Sequence, residues 1–299
     1  MNGASATAPS VPDCAVPVSF TVDVEELGVA GAAVRRAPEA TRGLMDWLEL
    51  RGIRGSFFIE GKVAAGAPGL VREIAARGHE VGCHSYRHVD LTDETPAGFA
   101  AGVGDAKARL EDLSGAAVLG FRAPRFSLVA ESRWAVAVLA AAGFAYSSSV
   151  VPGRGLPFGY RGAPARPFLW SEGLLEIPCP VARAGPWSVP FMGGMTLRWI
   201  PPWRYRIMLR SLAGTGAGAG ASTGAGTGAD AGCWTFCHPH DVDREAGFAK
   251  LPQHGWALSV MLAFNRGVML RRWAGLARNA APPLGERVAG LRVAAEVFG

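Results

Sequence analysis

Short apolar runs alternate with helix-periodic segments along most of this chain, and that alternation constrains the fold more than any other feature. Residues 16–22 read as a buried strand, and residues 38–51 carry Leu44, Trp47, Leu48 and Leu50 at helical spacing before Gly52. Residues 55–59 are again a short apolar strand. The pattern continues with a helix over 68–77, a strand over 79–83, a helix over 95–113, a strand over 118–121 and an Ala-rich helix over 132–142. Further strands are expected at 144–148, 174–178 and 234–237. Repeated βα units of this length imply an α/β fold with a parallel sheet, and their number favours a barrel over an open sheet.

With 299 residues, 49% of them hydrophobic, the chain can bury one large core. No window holds the roughly eighteen uninterrupted apolar residues of a membrane-spanning helix. Residues 1–12 lack a basic start and an apolar centre, so residues 1–15 read as a disordered leader rather than an export signal. Five cysteines without a regular framework fit reduced thiols. Together these features place the protein in the cytoplasm. Residues 213–232 are almost entirely Gly, Ala, Thr and Ser, too poor in apolar side chains to offset ordering entropy, and are expected to form a flexible surface loop. Residues 276–299 read as a tail, helical in part.

The net charge of +5 comes largely from arginines in the second half. Residues 199–210 mix aromatics with Arg204, Arg206 and Arg210, and residues 264–278 hold Arg266, Arg271, Arg272 and Trp273. Two amphipathic helices with solvated arginines explain these stretches best. Contact with a membrane surface or a phosphate-bearing substrate is the functional alternative. No nucleic-acid motif is present.

The chemistry is concentrated in two short motifs. The strand over 16–22 runs into Asp23-Val24-Glu25, so these carboxylates emerge at the end of a strand where α/β enzymes place their reactive groups. His84-Ser85-Tyr86-Arg87-His88 follows another strand, and two histidines four apart on a helical turn project to one side, able to share a metal ion. Two imidazoles and one carboxylate leave a coordination position open, and the second carboxylate is available as a base. The pattern points to a metallohydrolase. A two-histidine, one-carboxylate iron oxygenase remains open on residue types alone, although its usual spacing is His-x-Asp.

These motifs do not stand alone. Together with Phe121-Arg122-Ala123-Pro124-Arg125-Phe126, Tyr146-Ser147-Ser148-Ser149, Leu175-Glu176-Ile177-Pro178 and His238-Pro239-His240-Asp241, they resemble, in order, the motifs of the polysaccharide deacetylase family. That family is also called the NodB-homology domain or carbohydrate esterase family 4. The spacing is most similar to the branch found with bacterial exopolysaccharide and exosortase-type loci, with Asp-Val-Glu first and His-Pro last. The resemblance runs over residues 16–275 and implies a distorted (β/α)7 barrel. It implies a divalent metal, zinc above all, held by Glu25, His84 and His88, with Asp23 as general base. It implies that Arg122 pairs with that base and that His238 protonates the departing amine. Phe126, Tyr146, Leu175 and Ile177 would contact substrate, the last two lining a pocket for the acetyl methyl.

The implied activity is removal of an N-acetyl or similar small N-acyl group from an amino sugar in a glycan, a lipid-linked saccharide or a glycosylated small molecule. The site of action would be the cytoplasm or the inner face of a membrane. A catalytically silent carbohydrate-binding protein on the same fold is the alternative. Ser147 stands where the family usually has Asp, which bears on substrate identity more than on the metal. His79 is expected at a surface or turn, His254 in a loop, and His240 along the cleft without a role in proton transfer. A second zinc on Cys233 and Cys237 is disfavoured, since four strand residues separate them by about 13 Å.

Overall fold

The computed structural model describes residues 16–26, 36–155, 157–212, 232–248 and 255–299. The leader over 1–15, nearly all of the Gly/Ala-rich segment over 213–232, and His254 lie outside the described residues.

Seven parallel strands form the frame. They are β1 (Ser19–Val24), β2 (Ser56–Ile59), β3 (Glu80–Cys83), β4 (Gly120–Phe121), β5 (Tyr146–Ser147), β7 (Leu175–Glu176) and β10 (Trp234–Cys237), in the order β10-β1-β2-β3-β4-β5-β7. Every residue of β1, β2 and β10 is buried, as expected of parallel strands covered on both faces. The sheet continues past β7 through antiparallel β6 (Phe168–Trp170) to β11 (Glu296–Phe298), so the chain's last residues belong to the same sheet. β8 (Val181–Ala184) and β9 (Trp187–Pro190) form a separate hairpin.

No backbone ladder joins β7 to β10 among the described residues. The gap is bridged by a side chain: the Trp234 indole N–H donates to the carbonyls of Ile177 (3.2 Å) and Pro178 (3.1 Å). This is the distorted (β/α)7 barrel implied by the motifs, with a seam sealed by an indole.

The helices follow the local signals. In α1 (Ala37–Glu49) Leu44, Met45 and Leu48 face the core. α2 (Gly61–Gly66) and α3 (Pro68–Ala76) precede β3. α4 (Pro96–Ser114) starts where the Thr95 hydroxyl accepts from the Gly98 N–H and ends at Gly115, whose φ of 69° lies in the left-handed region. α5 (Trp134–Ala141) leads into β5. Gly120 in β4 has its own reason, because a Cβ there would overlap the Tyr146 ring. α6 (Gly194–Trp199), α7 (Pro202–Leu212), α8 (Trp256–Ala263), α9 (Gly267–Leu276) and α10 (Leu284–Val293) belong to the second half. Phe20, Trp47 and Trp273 pack together between β1, α1 and α9, the edge-on Phe20–Trp273 pair having centroids 5.0 Å apart. No described helix is long and apolar enough to cross a membrane.

Candidate active site

The site grows from the C-terminal ends of β1, β3, β4 and β10. Asp23 is the penultimate residue of β1 and is 2% exposed; Glu25 follows directly. His84 leaves β3, and His88 comes four residues later. The segment between them is not the helical turn expected from the spacing. Ser85 takes a left-handed φ of 64°, turning the chain into a bend that brings the second imidazole back over the first, ring centroids 5.4 Å apart. His88 Nε2 lies 2.6 Å and His84 Nε2 3.4 Å from the same oxygen, Glu25 Oε2. The donor atoms of Glu25, His84 and His88 all fall within 4.8 Å of one another.

Neighbouring groups orient these donors. His84 Nδ1 is 2.8 Å from the Arg122 carbonyl, which fixes the proton there and leaves Nε2 a lone-pair donor toward Glu25. Burial opposes ionisation of Glu25, but His88 and His238 beside it hold its carboxyl well below the usual carboxylate range. Three convergent ligand atoms, a carboxylate oxygen and two imidazole nitrogens, fit a zinc-type divalent cation with a position left open.

Arg122 organises the base. Its guanidinium is fully buried between the rings of Phe58 and Trp234, each 4.1 Å from the charge centre. It donates to Asp23 Oδ1 (2.6 Å), Thr21 Oγ1 (2.8 Å), Ser148 Oγ (3.0 Å) and the Ser148 carbonyl (3.2 Å). Asp23 is thereby held by one oxygen, while Oδ2 lies 3.9 Å from His238 Nε2. On its other side His238 Nδ1 is 2.8 Å from Asp241 Oδ2, and Asp241 Oδ1 lies 3.0 Å from Arg198 Nε. Burial disfavours the imidazolium of His238, yet the charges of Glu25, Asp241 and Asp23 raise it to about 9. His240 stacks on His238 with centroids 4.7 Å apart, and burial pushes it down to about 4. His240 thus lines the cleft as expected.

These groups open into one cleft of about 630 Å³. Arg125 and Phe126 both have positive φ (50° and 58°), an uncommon backbone that lays Phe126 against Trp234 and Phe236 and turns Arg125 to Asp90. Phe126 lines the cleft, as the motif implies, but three other expected substrate contacts do not. Tyr146, Leu175 and Ile177 are wholly buried in the barrel interior, and the Tyr146 hydroxyl donates to Glu80 (2.8 Å) at the opposite end of the strands. Tyr146 and Leu175 sit on short strands and Ile177 directly follows one, and all three pack into the barrel interior. The apolar cleft wall comes instead from Val151, Phe158, Phe236, Leu258 and Leu262.

His79 is also not at the surface. It is buried, its Nδ1 accepts the Gly55 N–H, and burial lowers it to about 4. Ser147, in place of the usual Asp, donates to Ser149, whose hydroxyl holds the Ala123 N–H. Cys233 and Cys237 are both buried, and no metal-ligand cluster includes them among the described residues. Asp241 and Arg198 went unassigned in the sequence. Asp241 sits inside a quoted motif, three residues after His238, and could have been found there. Arg198 had no local signal.

Fold and site together define a (β/α) barrel with a His-His-carboxylate centre and an adjacent Asp–Arg pair at the strands' C-terminal ends. The family model for polysaccharide deacetylase matches residues 16–146, and that for a domain of unknown function (DUF3473) matches residues 148–281. Residues 16–146, which hold Asp23, Glu25, His84, His88 and Arg122, thus match the polysaccharide deacetylase family.

Among curated relatives, the peptidoglycan-N-acetylglucosamine deacetylase PgdA of Listeria monocytogenes is 36% identical over 55 residues, covering 18% of this chain and 12% of that protein. The Bacillus subtilis peptidoglycan-N-acetylmuramic acid deacetylase PdaA is 34% identical over 55 residues, covering 18% and 21%. A chitooligosaccharide deacetylase of Bradyrhizobium is 37% identical over 60 residues, covering 20% and 27%. The matched segments thus span well under two thirds of these relatives. A solved structure described as a polysaccharide deacetylase from Mycobacterium smegmatis shares the fold, with a TM-score of 0.56, 18% identity, and coverage of 96% of this chain and 93% of that one.

Proposed function

We propose that this protein is a metal-dependent hydrolase that removes an N-acetyl, or similar small N-acyl, group from an amino sugar in a glycan, a lipid-linked saccharide or a glycosylated small molecule. The observation that carries the reading is the convergence, in one cleft, of the Glu25–His84–His88 triad with Asp23 Oδ2 and His238 Nε2, 3.9 Å apart. The three relatives named above are deacetylases of N-acetylated glycans by name, which supports the substrate class.

Glu25, His84 and His88 would hold a divalent cation, which would supply Lewis-acid polarisation of the amide carbonyl and acidify water at an open position. The remaining chemistry belongs to the side chains. Asp23, held and turned by Arg122, takes the proton of the attacking water through Oδ2. His238, charged and oriented through Nδ1 by Asp241, delivers a proton from Nε2 to the amine nitrogen so that it leaves neutral. Phe126, Val151 and Phe236 exclude water beside the acyl group. Cys83, Cys179, Cys233 and Cys237 are in no disulfide, which suits the cytoplasmic location we propose.

The test is metal content and acetate release, measured together. Protein reconstituted with zinc or cobalt should hold about one ion per chain and release acetate from an N-acetylhexosamine conjugate. The His84→Ala/His88→Ala variant should lose both. Reconstituted wild type that binds no metal and releases no acetate from any such conjugate would overturn the proposal.

A further inference from the structure

Helix α8 has an inverted pattern. Its sequence, Trp256 to Ala263, contains no charged residue, yet its only polar side chain, Ser259, is also its only buried one. Trp256 (61%) and Val260 (37%) face outward, and Phe264 (53%) follows directly. A helix that is apolar all round is normally interior or embedded in an apolar medium. Here it lies at the rim of the cleft, where its Leu258 and Leu262 form part of the wall.

The neighbouring helices share this character. Trp203 is 63% and Ile207 57% exposed on α7, one turn apart, and Arg206 and Arg210 continue the same face at helical spacing. The two parts are joined. The Trp199 indole donates to the Met261 carbonyl (3.0 Å), Arg198 to the Phe264 carbonyl (2.7 Å) and Arg272 to the Ile200 carbonyl (2.7 Å). These bonds hold α6 beside α8, both of which line the cleft through Met195, Thr196, Leu258 and Leu262, and α7 follows α6 after Ile200 and Pro201.

Charge identifies the occupant. Residues 194–212 and 255–278 contain no Asp or Glu and eight arginines, of which Arg198, Arg266 and Arg272 are buried. Arg204, Arg210, Arg271 and Arg278 are exposed. Exposed indoles beside arginines, with apolar side chains between them, match the interfacial zone of an anionic bilayer, where rings sit at headgroup depth and guanidiniums meet phosphates.

We propose that the α6–α7–α8 surface docks onto the headgroup layer of an anionic lipid membrane and holds the cleft mouth against it. Docking stands on this surface alone. Its consequence, that the amino sugar is presented on a lipid carrier, rests on the deacetylase reading above.

The experiment is co-sedimentation of the full chain with vesicles of phosphatidylcholine alone and of roughly 70:30 phosphatidylcholine:phosphatidylglycerol, at low salt and at about 0.5 M NaCl. Binding to the anionic vesicles, weakened by salt, is expected. It should fall at least about tenfold in Trp203→Ala/Ile207→Ala and, independently, in Arg204→Glu/Arg210→Glu. All four side chains are outside the cleft, so acetate release from a soluble conjugate should persist in both variants.

No binding by the wild type, or binding undiminished in both variants, would overturn the proposal. So would concentration-dependent dimers that both variants abolish while vesicles bind nothing, since the face would then cover a second copy. Wild type that binds anionic vesicles but deacetylates nothing would leave docking intact and remove the deacetylase reading.

Discussion

The two ends of the barrel both bury carboxylates beside polar partners, yet they use them in opposite ways. At the C-terminal ends of the strands, Asp23 and Glu25 each keep an oxygen that no backbone group engages, turned toward a cleft and toward His238 at 3.9 and 4.0 Å. At the N-terminal ends, Glu80 is spent on structure. It accepts from Ser56 (2.6 Å), Tyr146 (2.8 Å) and the Gly285 N–H (3.0 Å), stitching β2, β3, β5 and the start of α10 together. A buried carboxylate is thus reactive only where the fold leaves part of its bonding capacity unspent, the general division of labour between the two faces of such barrels.

The largest effect should come from Glu25→Ala. Metal content should fall to background and turnover should be lost, because the remaining two imidazoles lack the anionic ligand. Retention of about one ion per chain would break the assignment. Asp23→Asn should follow, keeping the metal but lowering kcat by about 10²–10⁴-fold. An active Asp23→Asn enzyme would move the base elsewhere.

At the other end, Tyr146→Phe should leave kcat within about twofold while costing about 1–2 kcal/mol in chemical denaturation, the consequence of leaving Glu80 short of a donor. A loss of turnover without a loss of stability would place Tyr146 at the substrate and dissolve the contrast between the two ends.

The smallest effect concerns His79. Its folded pKa of about 4 lies below the ordinary 6.5, so between these values the unfolded chain binds more protons. Stability from this residue is therefore full above pH 6.5 and declines as pH falls toward 4. His79→Gln should flatten that part of the stability–pH curve, read by urea titrations at several pH values. An unchanged slope would show that another group carries it.

Much of the barrel was legible because each βα unit writes its own boundaries. Apolar β1, capped α4 with Thr95 and Gly115, and the Gly52 stop after α1 are local facts of propensity. The strands β6 and β11 and the β8–β9 hairpin were not anticipated, since short irregular pairings depend on partners far away in sequence. At the site, Asp23, Glu25, His84, His88, Arg122 and His238 were named from motifs, and the structure brings all six together. Tyr146, Leu175 and Ile177 were named from the same kind of motif, but they face the barrel interior. Motif membership records which residue stands at the end of a strand, whereas side-chain direction depends on where that strand ends.

By itself, then, the sequence determined a parallel α/β barrel with two carboxylates and two histidines at the ends of two of its strands, because hydrophobic period and strand boundaries are short-range properties. Only the tertiary structure decided which oxygen of Asp23 is spent on Arg122. It alone placed Arg198 behind Asp241 and left α8 with its apolar sides outward. Each of these turns on contacts between residues tens to more than a hundred positions apart, and no local pattern encodes which of a buried group's bonds will be satisfied.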